Sequence, residues 1–266
     1  MPKRWHVRAH DRAAVAALER AAGVSSLVAA LLSARGVVDP AGVKSFLAGT
    51  LSDLRDPETL PGVPEAADRI LAAARAGRRI VIYGDYDADG MCATAILVGC
   101  LEALDAKPAW YVPNRQDEGY GLNAEALAKL AAEGAGLVVT VDCGITAVAE
   151  AARARELGLE LIVTDHHHFA AELSAADVLV HPRLPGTAYP FGQLCGAAVA
   201  FKLAWAIATR ASGASRVTPR LREALLKGIG LAAFGTVTDV MPLVDENRLL
   251  VKHGLEQLRS RGGPGL

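Results

Sequence analysis

The chain has 266 residues, 52% of them hydrophobic, with 28 Lys and Arg against 29 Asp and Glu for a formal charge of −1. That length and apolar fraction exclude a disordered chain and allow one large core or two smaller ones. The charge balance excludes a global basic field for nucleic acid, so any contact with a polyanion must be local or carried by bound cations. Cys92, Cys100, Cys143 and Cys195 show no CxxC pairing and lie in apolar or Gly/Ala-rich segments, which predicts reduced thiols and a cytoplasmic chain. The basic start from Met1 to Arg8 leads into no apolar h-region, so no secretion signal is expected. The longest apolar stretches, around Gly196 to Ala208 and Leu225 to Val237, are interrupted by Lys202 and Lys227. They are too short to cross a bilayer and read as buried helices.

From Ala13 to Ala76 the pattern is helical, with apolar residues at three-to-four spacing and breaks at Asp39-Pro40 and Leu60-Pro61-Gly62. This predicts a helical N-terminal region over 1–78, ahead of an α/β domain over 79–266. Strand and helix then alternate. Strands are expected at Arg79 to Tyr83, Ala109 to Val112, Leu137 to Val141, Glu160 to Val163 and Asp177 to Val180. Helices are expected at Met91 to Leu104, Ala124 to Glu133 and Ala147 to Leu157. The spacing is that of βαβ units, which predicts an α/β fold with a parallel sheet and helices on both faces. After Pro190 the pattern is helical again, near Ala197 to Thr209 and Arg220 to Phe234, with Ser212-Gly213-Ala214-Ser215 as the connector. A last amphipathic helix runs into the loop composition of Arg259 to Leu266, as expected of a chain cut before its natural end.

Three of the strand-like runs end in the same way. Tyr83-Gly84 leads to Asp85-Tyr86-Asp87-Ala88-Asp89-Gly90, Val141 leads to Asp142-Cys143-Gly144, and Thr164 leads to Asp165-His166-His167-His168. Ligands collect at the carboxyl ends of parallel strands, so these residues are expected to meet at one sheet edge. Carboxylates that close repel one another and must be protonated, solvated or bound to cations. Asp85, Asp87 and Asp89 alternate, so along an extended loop they would point the same way and offer oxygens to Mg²⁺ or Mn²⁺. For each aspartate alone, helix capping is at least as good a reading, with Asp89 capping a helix from Met91 and Asp142 the helix after Gly144. The histidine run adds nitrogen donors, and carboxylate with imidazole suits Mn²⁺ better than a structural zinc. In Gly235-Thr236-Val237-Thr238-Asp239-Val240, Asp239 is a lone acid in an apolar stretch, which the residues alone favour as a satisfied loop aspartate. The loop from Pro113 to Leu122 joins Arg115 and Tyr120 to two glycines, and reads equally as a phosphate and base contact or as a solvated connection.

Tyr83 to Gly90, Val141 to Gly144, Thr164 to His167 and Gly235 to Val240, taken in order, resemble the motifs of the DHH phosphoesterase superfamily. Within it the chain is similar to the bacterial exonucleases that digest single-stranded DNA from 5′ to 3′. Supporting segments are Pro113-Asn114-Arg115 with Glu118 to Leu122, Tyr189-Pro190-Phe191 with Val199 to Leu203, and Met241 to Arg248. The resemblance extends from Arg4-Trp5 to the last helix. It implies two divalent cations, Mn²⁺ or Mg²⁺, with Asp87, Asp89, Asp142, His166 and Asp239 as ligands and Asp142 bridging. It also implies that His167 stabilises the transition state or donates a proton, with Asp85 beside the ligands and Asp165 orienting the histidines. Arg115 and Tyr120 match positions that contact the strand. The implied reaction is in-line attack of a metal-activated water on a phosphodiester, in DNA repair and recombination. Implied partners are single-stranded DNA, a single-strand-binding protein and a recombination helicase, with no membrane.

The chain departs from the family pattern at three places. His168-Phe169-Ala170 lacks the proline that usually follows the two histidines, His181-Pro182 has histidine in place of asparagine, and Ala197-Ala198 replaces glycine and valine. The family branch also continues into a second catalytic-associated domain and an OB-type fold that these residues do not contain, so a piece of this length is expected to be weakly active. Three rival readings make different predictions. Other members of the superfamily cleave short oligonucleotides, cyclic dinucleotides or pyrophosphate. A non-catalytic nucleic-acid scaffold would lack metal ligands, and a nucleotide-binding α/β module with capping aspartates would need no metal.

Overall fold

The computed structural model describes residues 11–169, 172–213 and 216–261. Residues 1–10, with Arg4-Trp5, and 262–266 lie outside the described residues, as do Ala170, Ala171, Ala214 and Ser215. The chain divides into two compact units, Met1–Asp53 and Leu54–Leu266. The boundary read from the sequence, near residue 78, lies further along the chain.

Among the described residues the first unit holds three short α-helices, α1 (Arg12–Ala22), α2 (Ser26–Ser33) and α3 (Pro40–Ala48), each started by a side-chain cap from Asp11, Ser25 or Asp39. Val15, Leu18, Ala29, Leu32 and Val43 form its core.

The second unit begins with α4 (Val63–Arg75) and then alternates. β1 (Ile80–Tyr83), α5 (Ala88–Glu102), β2 (Ala109–Tyr111) and α6 (Ala124–Ala132) are followed by β3 (Leu137–Val141). Next come α7 (Val148–Glu156), β4 (Glu160–Thr164) and β5 (Val178–Val180). Three helices close the unit: α8 (Gly196–Ser212), α9 (Pro219–Thr238) and α10 (Asp245–Arg261). All five strands are parallel, in the order β2-β1-β3-β4-β5. Both faces are covered, which is why β1, β3 and β4 are near-continuous apolar runs with no polar alternation. Val81, Tyr83, Val138, Leu161 and Val163 pack with α6 and α7 on one face. α4, α5 and α8 cover the other, with α9 against α5 and α8, and α10 against α9.

Two features of this sheet position everything that follows. From β1 the chain goes outward to β2 and returns past β1 to β3, so the winding reverses between β1 and β3, where open α/β sheets bind ligands. The register sets Tyr83 beside Thr140 and Val141 beside Thr164, which brings the three acidic strand ends level with one another.

Of the boundaries that differ from the sequence reading, two bear on the site. α5 starts at Ala88, because Asp87 caps it by accepting from the Gly90 N–H at 2.9 Å. Asp89 therefore sits in the first turn and does not cap, and the three aspartates do not lie along one extended loop. α9 continues past Phe234 to Thr238, so Asp239 is the residue at its C-terminus and not part of a free loop.

Lys202, which interrupts the apolar run of α8, is wholly buried and paired with the equally buried Glu246 of α10. The ammonium also donates to the Arg55 carbonyl at 2.6 Å, and Glu246 accepts from the Arg55 N–H at 2.9 Å and from the Tyr189 hydroxyl. A lone buried charge is costly, so these groups tie α8, α10 and two loops together. Among the described residues no single helix is long and apolar enough to cross a membrane. Lys202→Met is expected to lower stability in urea unfolding by about 1–3 kcal/mol, because it removes the ammonium and leaves Glu246 the Arg55 guanidinium at 3.5 Å as its cationic partner, with partial recovery on adding Glu246→Met. A loss below about 1 kcal/mol would show that the charge is not confined.

Candidate metal centre

Each acid reaches the sheet edge by a different route. Asp85 follows β1 after Gly84 and is buried, with its Oδ1 accepting from the Tyr86 N–H at 2.7 Å. Asp142 follows β3 directly with φ of 64°, a left-handed conformation unfavourable for a residue with a Cβ, and its N–H donates to the Thr164 carbonyl at 3.0 Å. Asp165 follows β4. Asp89 is buried under α8, whose first backbone N–H groups, from Gly196 and Ala197, donate to its two oxygens at 2.6 and 3.0 Å. A carboxylate at a helix N-terminus is favoured by unpaired N–H groups and by the helix dipole.

The histidines face this cluster. His166 Nε2 lies 3.0 Å from Asp142 Oδ1 and 3.7 Å from both Asp89 Oδ2 and Asp239 Oδ2. His167 Nδ1 is 2.8 Å from Asp165 Oδ1 and 3.9 Å from Asp142 Oδ1. Among the described residues, three sets of side chains bring their donor atoms close enough to hold a cation: Asp85 with Asp87 and Asp142, Asp142 with His166 and His167, and Asp89 with His166 and Asp239. Asp142 and His166 each belong to two sets, which places them at the centre. Asp142 Oδ1 and His166 Nε2 are buried with no hydrogen-bond partner, although 3.0 Å apart. Buried polar atoms are ordinarily satisfied, and two that face each other without a shared hydrogen bond mark a place for a cation. The oxygen-rich donors with one or two imidazoles fit hard divalent ions such as Mn²⁺ or Mg²⁺.

Small residues make the cluster possible. A Cβ on Gly196 would lie 2.4 Å from Asp142 Oδ1, and one on Gly235 would lie 2.2 Å from Asp89 Oδ1. Any larger residue at either position would push α8 or α9 off the acids.

The charges respond as crowding requires. Burial, then the neighbouring Asp89, holds Asp142 well above the usual carboxylate range. Burial also raises Asp85 and Asp239, with Asp87 adding to the first and Asp89 to the second. Asp165 moves the other way: burial pushes it up, but hydrogen bonds from the ring and backbone of His167 and from the Ile145 N–H leave it below the usual value. The same bond to Asp165 raises His167.

Every residue expected as a ligand, Asp87, Asp89, Asp142, His166 and Asp239, lies in this cluster, together with Asp85 and His167. Neither Asp89 nor Asp142 is a helix cap, since Asp87 caps α5 and α7 has no side-chain cap. His168 falls outside the sets, with Arg183 Nη1 3.4 Å from its ring. The Tyr120 hydroxyl stands 3.4 Å from His167 Nε2. The Arg115 guanidinium lies 5.3 Å from the centre of the Tyr86 ring, whose neighbour in an edge contact is Tyr120. Tyr86 carries no separate signal in the sequence, because it sits among aspartates that dominate the motif.

The sequence model of the DHH family, N-terminal domain, matches residues 79–229, which contain all of this cluster except Asp239. The chain belongs to the DHH family. Among curated relatives of this DHH chain, the single-stranded-DNA-specific exonuclease RecJ of Bacillus subtilis (strain 168) is 42% identical over 263 residues, 99% of this chain and 32% of the relative. RecJ of Thermus thermophilus is 42% identical over 207 residues, 78% of this chain and 29% of the relative. A crystal structure of RecJ bound to manganese superposes with a TM-score of 0.68 at 41% identity, over 79% of this chain and 50% of that one. RecJ of Thermus thermophilus in complex with Mn²⁺ gives 0.75 at 36% identity, over 93% of this chain and 34% of that one. The chain spans 29% to 42% of the lengths of the RecJ relatives it matches.

The raised acids set a pH dependence. An acid whose pKa rises on folding holds its proton more tightly in the folded state, so Asp85, Asp142 and Asp239 destabilise the metal-free fold once pH rises above their unfolded value, about 3.9. A divalent cation offsets that repulsion where the protons have left. Mn²⁺ is therefore expected to raise the melting temperature more at pH 8 than at pH 5, in thermal scans with and without chelator. Equal shifts at both pH values would contradict the cluster as the binding site.

Proposed function

We propose that this chain is the nuclease part of a metal-dependent exonuclease that degrades single-stranded DNA from 5′ to 3′. The observation that carries the reading is the paired, unsatisfied Asp142 Oδ1 and His166 Nε2 at the centre of three overlapping donor sets. Kinship with exonucleases named for single-stranded DNA, two of them solved with Mn²⁺, supports the substrate and the metal.

Asp85, Asp87 and Asp142 would hold one cation, and Asp89, His166 and Asp239 a second, with Asp142 between them. Bound there, two divalent ions supply an activated water and neutralise charge on the phosphodiester. The chain's own residues do the rest. Asp165 holds Nδ1 of His167, Nε2 lies 3.4 Å from the Tyr120 hydroxyl, and the raised basicity of that ring favours holding a proton for the departing oxygen. Arg115, Tyr86 and Tyr120 form a row ending at His167, with ring contacts of 5.3, 6.2 and 6.0 Å. A guanidinium beside aromatic faces suits one phosphate and stacked bases of a single strand. With a formal charge of −1, the chain must draw its substrate through these local groups and the metal.

As partners we propose a single-strand-binding protein and a helicase, because an exonuclease confined to single strands would need partners that expose and hold them. A cytoplasmic setting belongs to the same proposal, supported by four buried free thiols. The test uses the full gene product on 5′-labelled DNA. Mn²⁺-dependent release of label from single strands ahead of duplex is expected, with Asp142→Ala losing more than the about 10- to 100-fold typical of residues behind a metal ligand. Activity in chelator, equal attack on duplex, or a wild-type rate in Asp142→Ala would each overturn the reading. Cleavage confined to dinucleotides and trinucleotides would move the substrate to short oligonucleotides.

A further inference from the structure

The two histidines at the site have all four of their backbone polar groups held by side chains. Asp165 Oδ1 accepts from the N–H of His166 at 2.7 Å and from that of His167 at 3.1 Å. The two carbonyls are taken by two other side chains. Arg183 Nη2 donates to the His166 carbonyl, and His181 Nε2 lies 3.0 Å from the His167 carbonyl. His181 is itself fixed, because its Nδ1 accepts from the Arg183 N–H at 3.0 Å, which leaves Nε2 as the protonated nitrogen. It is wholly buried, and the Phe169 ring meets it edge-on at 5.0 Å. Room for Arg183 comes from Gly192, where a Cβ would lie 2.7 Å from its side chain.

None of these contacts reaches a reacting atom. A loop dipeptide with free carbonyls can rotate its peptide planes, and a modest rotation would swing His166 Nε2 away from Asp142. We infer that His181 and Arg183 are positioning residues: by clamping the carbonyls of His166 and His167 they aim His166 at the metal centre. This rests on the reading of the site as a metal centre. Residues behind metal ligands commonly set affinity by orienting them, at about 10- to 100-fold per contact.

The experiment measures Mn²⁺ affinity by calorimetry and by the electron spin resonance of bound Mn²⁺, alongside urea unfolding of the metal-free protein. His181→Gln keeps a donor near the position of Nε2, whereas His181→Leu keeps bulk and removes it. Arg183→Met removes the other donor at a partly exposed position and serves if His181→Leu fails to fold. Affinity about tenfold weaker in His181→Leu and Arg183→Met, with His181→Gln close to wild type, is the expected result. Wild-type affinity in both weakened variants would overturn the inference. So would equal losses in His181→Gln and His181→Leu, which would make the position one of packing alone. Failure of the wild-type protein to bind Mn²⁺ would instead overturn the proposed function.

Discussion

The structure is organised by one electrostatic constraint, the gathering of acids at the carboxyl edge of a parallel sheet. Burying Asp85, Asp89 and Asp142 at one sheet edge costs desolvation and mutual repulsion, which cation binding offsets. The fold accepts that cost through specific devices. The winding reversal sets β1 beside β3, the register levels their ends, and the N-terminus of α8 donates two backbone N–H groups to Asp89. Asp142 is also held in a left-handed conformation, a strain of the kind that persists where surrounding structure dictates it.

Much of this is legible in the chain. β3 can be read to the residue, since Leu137 to Val141 is a β-branched run bounded by glycine and aspartate. The other strands and most helices differ only at their ends. The acids and histidines declare themselves by following buried strands, where an unpaired charge has few other uses. Asp239 is different. No local signal separates it from a satisfied loop acid, and only its place in an ordered set of motifs points to the site.

What the sequence conceals depends on contacts between distant segments. Asp89 and Asp87 are two residues apart, yet the helix begins between them, so one caps α5 and the other lies under α8. Gly196 and Gly235 look like ordinary helix glycines until a Cβ is placed on them and meets a carboxylate. The supporting segments around Tyr189, Lys202 and Glu246 converge on one buried network, which gives their spacing a structural reason. His181 is visible in the chain as a departure from the family pattern, but the contacts that it and Arg183 make are not, because their partners are backbone carbonyls, which every residue has.

The central claim is that the acids and histidines form a two-cation site with Asp142 between the ions. Crystals soaked in Mn²⁺ and measured at the manganese absorption edge test it directly through anomalous scattering. Two peaks are expected, one beside Asp85 and Asp87 and one beside Asp89 and Asp239, with Asp142 touching both. Peaks elsewhere on the chain, or none at this edge of the sheet, would contradict the account.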